Sequence, residues 1–322
     1  MPDNKSSKPW LQLHPLSAAD GPVMVQMRAI VEPLKGKLAG TAARGAFDGI
    51  MNMVSPPEGV TYHPDTVGGV PGSWCRPDGA RSGEAILHLH GGWFNWGSAE
   101  AYRHIVGHIA ARAGIEAFVP DYRLAPENPF PAAIEDAEAC YHGLVERGVK
   151  RIAITGDSAG GNLALVLLSL ANSKLADGEV PVCAVALSPV TDLARTGPSY
   201  ETQAVADPYF TRPQVTGLVQ SYLGDADPRN PLVSPLYGDF AGLPPIRVHV
   251  GEDEVLLDDS RRYVERAIAA CVDARLDVWA GMPHGFANSV GRLEAAAQAL
   301  EAVGAFIAER LAAPSNRSEL NF

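Results

Sequence analysis

The chain has 322 residues, of which 46% are hydrophobic and 20% are charged, and its formal net charge is −11. These fractions exclude a disordered chain, and the 32 glycines and 26 prolines follow no collagen-like period. The acidic balance argues against nucleic-acid partners and anionic membrane surfaces, since both require clusters of lysine and arginine. We therefore expect a globular protein with a large buried core.

Cysteine spacing and the N-terminal sequence bear on location. The four cysteines lie far apart and form no C-x-x-C pair, so we expect free thiols in a reducing compartment. Residues 1–9 lack the basic and apolar regions of a signal peptide, and no apolar stretch reaches about 18 residues. A cytoplasmic location without a membrane span is predicted.

The first part of the chain is predicted to be helical. Residues 1–15 resemble a frayed arm, whereas apolar residues recur at helical spacing over 18–34 and 38–54. Because both helices precede every predicted strand, we interpret residues 1–55 as an N-terminal helical cap segment. A polar tail is predicted at 314–322.

From residue 56 to 313, strand-like and helix-like patterns alternate. The predicted strands are 60–67, 70–75, 84–90, 115–119, 151–155, 182–187, 246–250 and 276–279. The predicted helices between and after them are 99–113, 131–147, 160–173, 258–271 and 291–312. Such alternation implies crossover connections and an α/β fold with a mainly parallel central sheet covered by helices on both faces.

One stretch interrupts this alternation. A polar, proline-rich insertion runs from 192 to 245 and contains one helical pattern at 212–223. We predict that its part 195–225 contributes to the cap together with the N-terminal helices.

A candidate nucleophile follows the strand at 151–155. Residues 156–160 read G-D-S-A-G, and this G-x-S-x-G pattern stands directly between a strand and a helix. The setting predicts that Ser158 occupies a strained turn with its hydroxyl exposed. The Ala159 amide, at the positive end of the helix, is then a candidate oxyanion donor. The alternative is a glycine-rich turn with a capping serine.

A second candidate element of the site follows the strand at 84–90. Two glycines let the backbone turn with free amides outward, so Gly91 and Gly92 are predicted to donate to an oxyanion together with Ala159. His88 and His90 share one side of this strand, which raises the question of a metal. No third ligand accompanies them at a suitable spacing, so we predict no metal. Side chains and backbone amides can perform all of the chemistry that these motifs indicate, so no organic cofactor is predicted either.

With these motifs the chain resembles the hormone-sensitive-lipase-like esterases, which are the bacterial family IV carboxylesterases of the α/β-hydrolase fold. The family's H-G-G-G motif reads H-G-G-W at 90–93, and its G-D-S-A-G-G motif is present at 156–161. D-Y-R-L-A-P-E-N-P-F-P-A-A at 121–133 matches a third family block, and 234–245 contains a fourth. Trp93 replaces the third glycine. The resemblance implies an α/β-hydrolase fold with a helical cap, serine carboxylesterase activity and a homodimer formed through an edge strand.

The remaining members of a catalytic triad follow from chain order, which in this fold is serine, acid, histidine. Aligning 251–259 with the family's G-x-x-D-P-L-x-D-E pattern places Glu254 at the acid position, with Asp253 as the alternative. The segment after the last predicted strand contains one histidine, His284. It is therefore predicted to be the base that takes the proton from Ser158.

An apolar substrate pocket is predicted from aromatic residues near these motifs. Its candidate members are Trp93, Phe94, Trp96, Phe210 and Phe286. A cap and a bulky oxyanion loop favour small soluble esters with short acyl chains as substrates. A lactonase, carbamate esterase or amidase is an alternative, because the acyl-enzyme chemistry is shared. A ligand-binding protein without catalysis is another.

Overall fold

The structure, a computed structural model, describes residues 8–174 and 180–313. The strands of this part of the chain form one nine-stranded sheet. Its strands are β1 Leu11–His14, β2 Val60–Val67, β3 Val70–Pro77, β4 Glu84–Leu89, β5 Ala117–Pro120, β6 Arg151–Asp157, β7 Cys183–Leu187, β8 Ile246–Asp253 and β9 Ala274–Pro283. They are arranged in the order β1-β9-β8-β7-β6-β4-β5-β3-β2. The tail predicted at 314–322 lies outside the described residues.

The sheet is mainly parallel, as predicted. All neighbours from β1 through β9, β8, β7, β6 and β4 to β5 are parallel, and only the β2–β3 and β3–β5 pairs are antiparallel. Every residue of β5 and β7 is buried, because helices cover both faces of a parallel sheet.

Helices lie on both sides of this sheet. They are α1 Asp20–Val31, α2 Arg44–Met51, α3 Ala99–Ala113, α4 Ala132–Glu146, α5 Ala159–Lys174, α6 Ser199–Thr202, α7 Arg212–Leu223, α8 Leu257–Ala269 and α9 Glu294–Ala312. Helices α3 and α9 pack on the core that includes Ile86, and α4 and α5 pack on the core that includes Leu87. These adjacent residues of β4 face opposite sides. Within the described residues, no helix is long and apolar enough to cross a membrane.

The first strand corrects the expectation of a frayed N-terminal arm. Residues Leu11–His14 pair in parallel with Leu276–Trp279 of β9. The His14 ring stacks on Trp279 with centroids 3.8 Å apart, and its Nε2 lies 2.7 Å from Asp277 Oδ1. Four residues are too few to show a strand period, so the sequence pattern contained no signal. As a result, β1 covers the outer edge of β9.

The N-terminal helical segment, residues 20–51, contacts the inserted segment, residues 192–245. Arg28 of α1 donates to the Ala206 carbonyl at 2.7 Å, and Lys35 donates to the Ala204 carbonyl at 2.7 Å. The Gly36 amide donates to the Tyr209 carbonyl at 2.9 Å. The two helical parts that lie outside the alternating fold are therefore joined to each other.

Candidate active site

The candidate catalytic residues follow strands whose carboxyl ends meet at one edge of the sheet. Ser158 follows β6, Glu254 follows β8 and His284 follows β9. Asp253 and Pro283 are paired in the β8–β9 ladder, so the next residue on each strand is the candidate acid or base. This edge is where parallel α/β sheets place their ligands.

Ser158 occupies a strained turn between β6 and α5. Its φ is +53°, a conformation that side chains other than glycine rarely adopt and that costs about 1–2 kcal/mol. The Ser158 amide donates to the Leu187 carbonyl at 2.8 Å, and its carbonyl accepts from the Val190 amide at 3.1 Å. A Cβ on Gly160 would lie 1.9 Å from the Leu89 carbonyl oxygen. Only glycine therefore lets α5 begin against the end of β4.

The predicted acid and base are hydrogen-bonded to each other. Glu254 Oε2 lies 2.8 Å from His284 Nδ1. Glu254 is fully buried, and its Oε1 accepts from the Ser188 hydroxyl at 2.6 Å and the Gly251 amide at 2.7 Å. Three donors thus satisfy a buried carboxylate that would otherwise be costly to bury. Ser188 has no signal in the sequence beyond its position just after β7.

The environment of His284 favours its charged form. Burial lowers the pKa of His284, but the charge and hydrogen bond of Glu254 act in the opposite direction. The charges of Asp207 and Asp157 add to this effect, and the net result is a pKa above the ordinary value. Among the described residues, the Ser158 hydroxyl makes no hydrogen bond to the imidazole.

The alternative acid, Asp253, faces away from the imidazole. Its Oδ2 lies 2.5 Å from Nη2 of Arg28 on α1. Burial raises the pKa of Asp253 and the Arg28 charge lowers it, with a net increase. The two consecutive acids therefore serve different partners: Glu254 contacts His284, and Asp253 contacts the N-terminal helical segment.

The glycine loop after β4 corrects one oxyanion prediction. The Gly91 amide donates to Asp157 Oδ1 at 2.8 Å, so the prediction that it is free for a substrate oxygen is wrong. Among the described residues, the amides of Gly92, Trp93 and Ala159 have no acceptor. The motif shows which residues can turn, but it does not show where each amide points.

One of the five predicted pocket residues, Phe210, contacts the imidazole, and a second, Trp93, contacts Phe210. The Trp93 and Phe210 rings meet edge to face with centroids 5.3 Å apart, and Phe210 meets His284 at 5.0 Å. Trp93 is buried, and its indole Nε1 has no hydrogen-bond partner within the described part of the chain.

The other three predicted pocket residues pack elsewhere. Phe94 stacks on Tyr222 of α7 at 3.7 Å. Trp96 Nε1 donates to the Gly40 carbonyl at 2.8 Å, and Phe286 packs on Trp279 at 5.6 Å. All three are buried among other core residues, and their rings pack on rings other than those of Phe210 and His284, so their place in the pocket stays a prediction. Proximity in sequence to a motif could not separate a pocket aromatic from a core aromatic.

A buried carboxylate that the sequence did not single out joins two sides of this region. Asp207 Oδ1 accepts from the amides of Tyr209 and Phe210 at 2.8 and 3.0 Å. Its Oδ2 accepts from the Val255 amide at 3.0 Å, one residue beyond Glu254. Asp207 therefore fixes the loop that carries Phe210 against the loop that carries Glu254.

Comparison with known proteins agrees with this architecture. The sequence profile of a family with the α/β-hydrolase fold matches residues 86–288. An acetyl-hydrolase of Streptomyces hygroscopicus is 36% identical over 279 residues, which cover 86% of this chain and 89% of that protein. An esterase of Acinetobacter venetianus is 34% identical over 277 residues, covering 85% and 90%.

A solved structure extends the similarity to three dimensions. The crystal structure of an esterase from the bacterial hormone-sensitive lipase family aligns with a TM-score of 0.84 at 36% identity, covering 90% of this chain and 98% of that one. The chain belongs to the α/β-hydrolase family and, within it, to the hormone-sensitive-lipase-like carboxylic ester hydrolases. The family and the enzyme class predicted from the motifs are confirmed.

Proposed function

We propose that this carboxylesterase hydrolyses small, short-acyl esters with Ser158 as nucleophile, His284 as general base and Glu254 as the acid that orients the base. The observation that carries the proposal is the 2.8 Å contact between Glu254 and His284 at the sheet edge that also holds the strained turn of Ser158. A nucleophile, a base and a buried orienting carboxylate are what acyl transfer requires.

The reaction proceeds in two halves. His284 Nε2 accepts the Ser158 proton as Oγ attacks the ester carbonyl, and it then gives that proton to the leaving alcohol. Water attacks the resulting acyl-enzyme with His284 again as base, which releases the carboxylic acid and restores Ser158. Glu254 accepts the hydrogen bond from His284 Nδ1–H and stabilises the imidazolium in both halves. The hydrogen bond from the Ser158 hydroxyl to His284 Nε2, which is absent from the described residues, forms when substrate binds.

The oxyanion hole is assigned to the amides of Gly92, Trp93 and Ala159. These amides have no acceptor in the described chain, and those of Gly92 and Ala159 follow β4 and β6, the two neighbouring strands whose ends flank the nucleophile. Removing one such donor typically costs about 10²–10³ in kcat. A side chain at position 93 does not prevent its backbone amide from donating.

The N-terminal helical segment and residues 195–225 of the inserted segment are proposed to form a cap over this site. Of the range 1–55 assigned to the cap from the sequence, Leu11–His14 form β1 of the sheet and lie outside the proposed cap. The contacts of Arg28 and Lys35 with carbonyls of the inserted segment support this cap. Phe210 supports it further, because it lies in the inserted segment and contacts His284. Residues 1–7 are outside the described structure.

Short acyl groups are proposed because Trp93 fills space that a glycine would leave open. Its indole is buried against Phe210, beside the base. The acetyl-hydrolase relative has a name that is consistent with this preference. A homodimer and a cytoplasmic location stay predictions. Since β1 covers the edge of β9, a dimer formed through that edge would involve β1.

A fluorophosphonate probe tests the proposal. We expect the probe to label Ser158, identified by mass spectrometry of the modified peptide, and Ser158→Ala to lose labelling. The same variant should lose on the order of 10⁴ or more in kcat on p-nitrophenyl acetate, because a triad acts as a unit. Turnover of Ser158→Ala within about tenfold of wild type would exclude Ser158 as nucleophile. Folded wild-type protein without labelling or turnover would favour the binding-only alternative.

A further inference from the structure

Asp157 is a buried carboxylate next to the nucleophile, and the mechanism above gives it no role. Its Oδ1 accepts the Gly91 amide at 2.8 Å, and its Oδ2 accepts the Tyr102 hydroxyl at 3.0 Å. His88 Nε2 lies 3.6 Å from Oδ1. The carboxylate therefore joins the nucleophile turn to the glycine loop and to helix α3.

These contacts link the two backbone segments that carry the proposed oxyanion donors. Asp157 immediately precedes Ser158 and Ala159, and Gly91 immediately precedes Gly92. A side chain at position 91 would be obstructed, since a Cβ there would lie 2.5 Å from Asp157 Oδ2 and 2.8 Å from the Tyr102 hydroxyl. The distance between the two segments is thus set by direct contact.

The glycine loop needs such a restraint because its backbone is strained. Gly92, Trp93 and Phe94 have consecutive positive φ values of 115°, 54° and 61°. Non-glycine residues in this region persist only where the surroundings hold them in place. On one side the Tyr122 hydroxyl donates to the His90 carbonyl at 2.7 Å. At the next residue, Gly91, the hydrogen bond to Asp157 supplies a second restraint.

The chemistry of the contact explains why the residue is an acid. The Gly91 N–H is a donor without an acceptor lone pair, and Tyr102 directs its O–H at the same side chain. A carboxylate offers two acceptor oxygens, whereas an asparagine of the same shape offers one oxygen and turns an N–H₂ towards the other partner. An asparagine would therefore place its N–H₂ either against the Gly91 N–H, which cannot accept a hydrogen bond, or against the Tyr102 hydroxyl, which would have to rotate to accept one.

We infer that Asp157 is a positioning residue of the oxyanion hole: by accepting from Gly91 and Tyr102, it sets the glycine loop relative to the nucleophile turn. The inference rests on the proposed function, since it concerns the same site. Asp157 then stabilises the tetrahedral intermediate through the oxyanion donors and contributes little to the affinity for the ground-state ester.

The test compares Asp157→Asn with Asp136→Asn in the full chain. Asp136 is a matched control because it has the same 8% exposure and also accepts a backbone amide, that of Arg123, away from the site. The measurements are kcat and KM for p-nitrophenyl acetate, the inhibition constant of a trifluoromethyl ketone that forms a hemiketal with the nucleophile, and the unfolding temperature.

We expect Asp157→Asn to lower kcat by about 10- to 100-fold and to change KM by less than about threefold, in line with a partly displaced oxyanion donor. The ketone inhibition constant should rise by a factor close to the loss of kcat/KM. Tyr102→Phe should show a smaller loss of the same kind, and it serves as the test if Asp157→Asn does not fold. Asp136→Asn should lose stability but keep its kinetic constants.

Two results would overturn the inference. In the first, Asp157→Asn has a kcat indistinguishable from wild type and an unchanged ketone inhibition constant. The same outcome in Tyr102→Phe counts if that variant replaces Asp157→Asn. The other is an equal loss of kcat in Asp136→Asn at matched folded fraction. Failure of the proposed function looks different, because the wild-type protein itself would then neither hydrolyse the ester nor react with the fluorophosphonate.

Discussion

The catalytic edge of the sheet and the proposed cap are held by different kinds of contact. At the edge, Glu254 and Ser158 are buried, and short hydrogen bonds to backbone and side chains fix their positions. In the cap, long side chains such as Arg28 reach backbone carbonyls, and apolar residues of α1 such as Val25 and Ile30 are 70% and 69% exposed. Regions with few buried contacts open at lower free energy. The proposed bond-making groups are thus built into the stable part of the fold, and Phe210, which contacts His284 from the inserted segment, belongs to the proposed cap.

The largest expected effect separates two adjacent acids at the sheet edge, one that contacts His284 and one that contacts the proposed cap. Glu254→Gln should lower kcat by about 10²- to 10⁴-fold, because an amide cannot hold His284 in the required tautomer or stabilise the imidazolium. Asp253→Asn should keep kcat within about threefold, since it removes only a partly exposed ion pair worth about 0–1 kcal/mol. Steady-state kinetics of both variants on one ester decide the point. The reverse ranking would move the catalytic acid to Asp253.

A smaller effect concerns pH. The base must be neutral to accept the Ser158 proton, and Glu254, Asp207 and Asp157 raise the pKa of His284 above its ordinary value. Activity should therefore rise with pH, and the midpoint of the acidic limb of kcat/KM should lie above about 6.5, the value for an unperturbed imidazole. A pH–rate profile from pH 5 to 9 measures it. A midpoint below about 6 would contradict this environment of His284.

The smallest effect is on acyl selectivity. Trp93→Gly should raise kcat/KM for p-nitrophenyl decanoate relative to acetate, because each methylene that does not fit costs about 1–3 kcal/mol. Glycine also relieves the positive φ at this position. Trp96→Phe is the control on the same loop, since Trp96 contacts Gly40 and not His284. An unchanged decanoate-to-acetate ratio in Trp93→Gly would show that Trp93 does not limit acyl length.

Sequence patterns were sufficient to predict which residues meet at the sheet edge, because local geometry fixes their positions at strand ends. The strand–turn–helix context of Ser158, the alignment of 251–259 with the family's pattern and the position of His284 after the last strand identified residues that the fold brings to one edge. The patterns were insufficient where long-range contacts decide. Gly91 stands at a motif position that indicates an oxyanion donor, but its amide already donates to Asp157, 66 positions away.

The same limit applies to Phe286 and Ser188. Phe286, two residues after the base, packs in the core against Trp279 of β9. Conversely, a serine with no motif of its own donates to the buried acid, because β7 and β8 are neighbours in the sheet. The contact of Ser188 joins positions 66 apart, so it could not be obtained from the sequence pattern around Ser188.

The position of β1 has a consequence for biosynthesis. Leu11 of β1 pairs with Leu276 of β9, which lies 276 − 11 = 265 residues further along the chain. Strand β1 is therefore synthesised long before the strand with which it pairs. At roughly 5–20 residues per second, the ribosome needs about 13–53 s to supply it. During that interval the segment of β1 has no partner strand. Strand β1 therefore joins the sheet only after β9, the strand before the His284 loop, has been synthesised.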